Sequence, residues 1–97
     1  MPTAAAARRP VRVSLGAVVA TPGVLAAVPH AALLAALARP ARGDWGDVCA
    51  NDARANDEAL DDGGRLLSSY ATEDGTKFWI ITEADRASTC ALLPEEY

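Results

Sequence analysis

Ninety-seven residues carry 9 Lys+Arg against 13 Asp+Glu, and the net charge of −4 joins an N-terminal part (1–43) with five arginines and no acid to a C-terminal part (44–97) holding every acid. At this length a chain forms one domain with one modest core, burying roughly 60 to 65% of its unfolded surface, which excludes a large multi-part enzyme. The acidic balance also argues against direct nucleic-acid binding, because non-specific affinity for phosphate backbones comes from Lys and Arg.

Met1 to Pro10 is rich in Ala and Arg and has no periodicity, which predicts a flexible tail ahead of a single α+β domain over residues 11–97. Val11 to Val19 alternates, with Val11, Val13, Leu15, Ala17 and Val19 on one side, and reads as a strand. The apolar run continues to Val28 but is broken by Arg12, Ser14, Thr21, Pro22 and Gly23. It therefore falls short of the roughly 18 to 20 residues of a membrane span and reads as folded chain. Thr21-Pro22-Gly23 starts a short helix over Val24 to Val28, with Thr as cap and Pro at the first helical position. Pro29 restarts the chain into a second helix from His30 to Arg39, with Leu33, Leu34 and Leu37 as its apolar stripe.

Pro40 and Gly43 end that helix. Gly43-Asp44-Trp45-Gly46-Asp47 predicts a turn that folds the indole onto the core. Asp47 or Asn51 then caps a third, mostly polar helix running to about Asp61, with Val48, Ala55, Ala59 and Leu60 facing inward. Gly63-Gly64 supplies its left-handed stop. Arg65 to Ala71 and Lys77 to Thr82 flank Asp74-Gly75, a two-residue hairpin signal of type I′. That turn pairs Thr72 with Lys77, Ala71 with Phe78 and Tyr70 with Trp79. After the turn Glu83-Ala84-Asp85-Arg86, Ser88 to Leu93 returns as a third strand. The expected architecture is an N-terminal strand, two or three short helices on one face, and a C-terminal three-stranded antiparallel meander.

No catalytic constellation emerges from the residues. His30 is the single imidazole and has no Ser, Cys or acid beside it. Cys49 and Cys90 lie far apart without CxxC spacing, so neither a zinc nor a haem site is expected, and both thiols are expected reduced in a cytoplasmic protein. A reactive Cys49 near a helix N-terminus is the minor alternative. The glycines match neither G-x-G-x-x-G nor the P-loop pattern, and the acids lack EF-hand spacing, so no cofactor or metal is expected.

The acids Asp44, Asp47, Asp57, Glu58, Asp61 and Asp62 gather around the third helix, where Asp57–Asp61 and Glu58–Asp62 are like-charge i,i+4 pairs that cost helix stability. They read as a solvated face, as a surface for a basic protein, or as a phosphate mimic. Glu83, Asp85 and Arg86 form a second polar group, either a turn closed by its own contacts or a partner-facing one. Tyr70 and Trp79 are either core or an exposed aromatic patch.

The set Thr21-Pro22-Gly23, Gly43-Asp44-Trp45-Gly46-Asp47, Asn56-Asp57-Glu58-Ala59-Leu60, the hairpin from Arg65 to Arg86 and the ending Leu92-Leu93-Pro94-Glu95-Glu96-Tyr97 resembles a family of short bacterial proteins. These are often plasmid- or phage-borne and labelled either uncharacterised or type I restriction endonuclease subunit M. The likeness spans roughly residues 13–97. It implies a mobile-element setting. Methyltransferase activity is not carried over, since the chain has no N-P-P-[YF] motif and no Gly-rich methyl-donor loop. The setting implies an accessory without catalysis that binds the basic surface of a nuclease or defence complex, most simply an anti-CRISPR or anti-restriction inhibitor. The alternatives are an accessory module of a restriction-modification system and a small DNA-associated regulator using the N-terminal arginines. A homodimer is left open.

Overall fold

The structure, a computed structural model, describes residues 13–97. The expected tail, Met1 to Pro10, and the first two residues of the expected N-terminal strand lie outside the described residues. In chain order come β1 (Ala17–Ala20), α1 (Pro22–Ala27), α2 (His30–Leu37), a 3-10 turn at Pro40–Arg42, α3 (Ala50–Asp62), β2 (Leu66–Ala71), β3 (Lys77–Thr82), β4 (Ser88–Leu92) and a 3-10 turn at Pro94–Glu96. The α+β class and the C-terminal antiparallel meander are as the sequence predicts. The four strands form one sheet in the order β1-β4-β3-β2, with β1 parallel to β4.

The main core lies between the sheet and the first two helices. Val24, Val28, Leu33 and Ala36 pack there against Tyr70, Phe78, Ile80 and Ala91. A smaller cluster of Trp45, Ala59 and Leu66 lies under α3. Thr21 caps α1, its hydroxyl accepting from the Val24 N–H at 3.2 Å. In turn the hydroxyl donates to Glu96, whose carboxylate also accepts from the Gly23 N–H (3.1 Å) and the Leu93 N–H (2.9 Å), pinning the C-terminal turn to the start of α1.

Several expectations are corrected. The N-terminal strand begins at Ala17 because Gly16 has φ 65°, which breaks extended backbone, and the expected apolar face is not buried: Val19 is 52% exposed. The stripe of α2 is Leu33, Ala36 and Leu37, with Leu34 56% exposed; residues three and four apart share a face, whereas Leu34 lies about 100° from Leu33. In α3 the buried residues are Asn56 and Ala59, with Ala53 partly covered, and Ala55 and Leu60 point outward. Its cap position is Cys49, which makes no side-chain cap bond.

The hairpin register differs by one residue. Ala71 pairs with Lys77, Tyr70 with Phe78 and Ser69 with Trp79. A type I′ turn needs positive φ at both central residues, and here only Gly75 has it (φ 89°). The loop is therefore one residue longer, with Gly75 N donating to Thr72 O (3.0 Å) and Thr72 N to Thr76 O (2.9 Å). The Asp74 carboxylate holds it by accepting from the Thr72 hydroxyl and from the Thr76 hydroxyl at 3.0 Å. The shift places Tyr70 against Phe78 in the core, ring centroids 5.8 Å apart, and Trp79 on the other face against Tyr97, also at 5.8 Å.

Candidate functional site

The helix α3 is polar, and its position comes from a few directed bonds rather than from apolar area. The buried Asn56 amide brackets the backbone of Leu67: its Nδ2 donates to Leu67 O at 2.8 Å and its Oδ1 accepts from Leu67 N at 3.1 Å. The Asp57 carboxylate accepts from the Trp45 indole N–H at 2.9 Å. At the C-terminal end Gly63 takes φ 79°, and its N–H bonds back to Ala59 O. The Arg86 guanidinium then donates to Gly64 O (2.6 Å), Ala59 O (3.1 Å) and Glu83 O (3.1 Å). Arg86 thus neutralises the negative end of a helix whose last turn holds Asp61 and Asp62 and no base.

These bonds sort the nine residues expected to meet a partner. Asp44 is held by Arg39, which donates to it through Nε (2.7 Å) and Nη2 (3.1 Å), and it accepts from the Gly46 N–H (3.1 Å). The Arg39 bond, first of all, and the Gly46 N–H keep its carboxyl below the usual range against the opposing effect of burial. Asp57 is tied to Trp45, and Asp85 accepts from the Ala87 N–H at 2.9 Å. Glu83 pairs with Arg65 at 3.5 Å, and Arg86 caps α3. The remaining four, Asp47, Glu58, Asp61 and Asp62, are exposed, and their side chains make no hydrogen bond or ion pair among the described residues. Glu58, Asp61 and Asp62 stand three and four residues apart and share the outward side of α3 with Arg54.

Sequence reasoning missed Arg39, Asn56 and Glu96. The Arg39–Asp44 pair spans a turn of five residues and matches no helical spacing, while Asn56 and Glu96 act through distant backbone that no local pattern identifies. Arg39 also lies 4.6 Å over the Tyr70 ring. The Tyr70 hydroxyl donates to Asp44 O at 2.7 Å, and burial pushes its pKa up to about 12. Arg42 too lies 3.9 Å from Asp44, so both arginines described in the N-terminal part are drawn to an internal carboxylate.

Cys49 is exposed and Cys90 half-buried, both free; burial, then the charges of Glu96 and Glu83, push the Cys90 thiol up. Among the described residues no group of three or more His, Cys, Asp or Glu is placed to hold a metal ion, and no helix is long and apolar enough to cross a membrane.

Three carboxylates are held below the usual carboxylate range by hydrogen bonds made in the fold. Asp44 is lowered chiefly by Arg39, Asp74 by the Thr72 hydroxyl and Glu96 by the Thr21 hydroxyl. Each is more acidic folded than unfolded, so its stabilisation is present above the unfolded value and lost as the pH falls through the folded one. The thermal midpoint is expected to be flat near neutrality and to fall below about pH 4. Asp44→Asn should lower it at pH 7 and flatten the acid limb, as followed by circular dichroism.

Comparison with protein-family models, with curated proteins and with solved structures finds no match for this chain.

Proposed function

We propose that this chain is a non-enzymatic, protein-binding protein of a mobile element that inhibits a host defence nuclease complex, of anti-CRISPR or anti-restriction type. It seats the outward face of α3 on a basic surface that otherwise takes nucleic acid. The observation that carries this reading is the exposed trio Glu58, Asp61 and Asp62, without a bonded partner among the described residues. These put three negative charges along about 6 Å of helix axis, close to the one charge per about 1.7 Å of a DNA duplex. Four of the other candidate residues and Arg86 hold the helix and its flanking turns in place. The arginine-based DNA reading loses Arg39 and Arg42, which both face Asp44, and would rest on Arg8, Arg9 and Arg12, which lie outside the described residues.

The test is capture of purified restriction and CRISPR surveillance complexes on the immobilised chain, followed by a cleavage assay. Micromolar or tighter binding is expected, weakening with salt, and the triple variant Glu58→Gln, Asp61→Asn, Asp62→Asn should lose at least about tenfold in affinity. The bound nuclease should lose cleavage. Absence of any micromolar partner, or equal binding by the triple variant, overturns the proposal. Binding without inhibition would favour the restriction-accessory role, and salt-sensitive retardation of duplex DNA by the chain alone would favour the regulator.

A further inference from the structure

The two edges of the sheet are finished differently. On the β2 edge, Leu67, Ser69 and the terminal Ala71 turn their peptide groups outward, and those of Leu67 and Ser69, in the body of the strand, are all taken. Asn56 brackets Leu67, the Ser69 N–H donates to Trp45 O (3.1 Å), and Ser69 O accepts from the Asp47 N–H (2.7 Å). On the β1 edge, Ala17 N donates to Ala87 O (2.9 Å) and Thr21 N to Ala91 O (3.0 Å), so alternate residues face β4. The peptide groups of Val18 and Ala20 therefore point away from the sheet, and β1 has a strand neighbour on one side only among the described residues.

Exposed edges are normally blunted by charge, proline, a bulge or a cover. Within Ala17-Val18-Val19-Ala20 there is neither charge nor proline, and no charged residue occurs between Val13 and Ala38. Val18 and Val19 are 46% and 52% exposed, on opposite faces.

We infer that β1 pairs with β1 of a second copy of this chain, antiparallel about a two-fold axis at Val19, joining two four-stranded sheets into one of eight strands. A second copy fits for two reasons. The first is self-complementarity: a two-fold interface brings one patch against itself. Gly16 and Pro22 bound the strand so that the outward groups of Val18 meet those of Ala20 in the copy, four backbone bonds in all, with Val19 beside its own equivalent. The second is charge. Every acid lies beyond residue 43, and α3, which carries the exposed trio, packs on β2 at the far edge. An uncharged edge thus meets its like in a molecule whose net charge of −4 disfavours contact elsewhere. The inference does not rest on the proposed function, but it would place an acidic helix at each end of the joined sheet. The two β2 strands would be seven inter-strand steps apart, about 34 Å.

Sedimentation of the full chain across about 1 to 300 µM tests this, since a small interface gives a weak dimer. The mass is expected to rise from the 10.1 kDa of one chain to twice that value. The Val18 and Ala20 amides should exchange hydrogen at least about tenfold more slowly at the high end. Val18→Pro removes an outward N–H without touching the bonds to β4, and Val18→Lys places a charge on the pair. Both variants should stay monomeric, and Val18→Lys, at an exposed position, should keep the wild-type thermal midpoint and decide the matter if Val18→Pro unfolds. A wild-type chain that remains monomeric throughout overturns the inference, whether or not it takes up an extended apolar peptide at this edge. So does a dimer that a folded Val18→Lys leaves intact.

Discussion

Gly46→Ala is expected to destabilise the fold by about 4 kcal/mol, although it adds a single methyl group to an exposed turn. Gly46 has φ 71°, and a Cβ there would land on the Ser69 carbonyl oxygen and within 2.8 Å of the Tyr70 ring. Neither neighbour can yield cheaply. Ser69 O is bonded to the Asp47 N–H at 2.7 Å, and Tyr70 is a core residue whose hydroxyl is tied to Asp44 O. Relieving the clash means separating the turn from β2, which uncovers that edge and loosens Trp45. The control is Gly63→Ala, where φ is 79° but a Cβ meets nothing within 4 Å. It should cost only about 1 kcal/mol, from the left-handed backbone alone. Urea unfolding of both variants gives the comparison. A cost at Gly46 no greater than at Gly63 would mean that the turn does not sit against β2 as described.

The elements of this fold were legible where a residue's local chemistry and its place in the fold agree. Thr21-Pro22 starts α1, Gly63 stops α3, and Trp45 between two glycines is buried at 6% exposure. Legibility failed where a side-chain bond that no regular spacing announces decides the backbone, whether it is local or distant. Asp74-Gly75 reads as a two-residue type I′ turn, yet the Asp74 carboxylate gathers the Thr72 and Thr76 hydroxyls and only Gly75 is left-handed. One residue of added loop then moved Trp79 off Tyr70 to the opposite face. The candidate surface was legible in composition but not in geometry. Counting acids cannot separate Asp44, gripped by Arg39, from Glu58, Asp61 and Asp62, because the difference is made by partners from other elements.

Arg86 is where the stability of the fold and the proposed surface meet. It is the one non-glycine residue with positive φ among the described residues (59°), a strained backbone that aims its guanidinium at three carbonyls around the end of α3. Arg86→Ala removes all three bonds and keeps the strain, and it should cost about 3 kcal/mol, since charge-assisted bonds to partly buried groups are among the stronger ones. Arg86→Gly loses the same bonds but relieves the backbone, so it should cost about 1 kcal/mol less than the alanine variant. The same substitution separates two accounts of partner binding. If general attraction between an acidic protein and a basic surface were sufficient, Arg86→Ala would bind more tightly, because removing a positive charge makes the net −4 more negative. If an ordered α3 face is required, it should bind more weakly. Without Arg86, Asp61 and Asp62 face the uncompensated negative end of their own helix, and the last turn frays. Weaker binding by a more acidic, still folded variant, measured beside the triple variant in the same titration, is therefore the expected result.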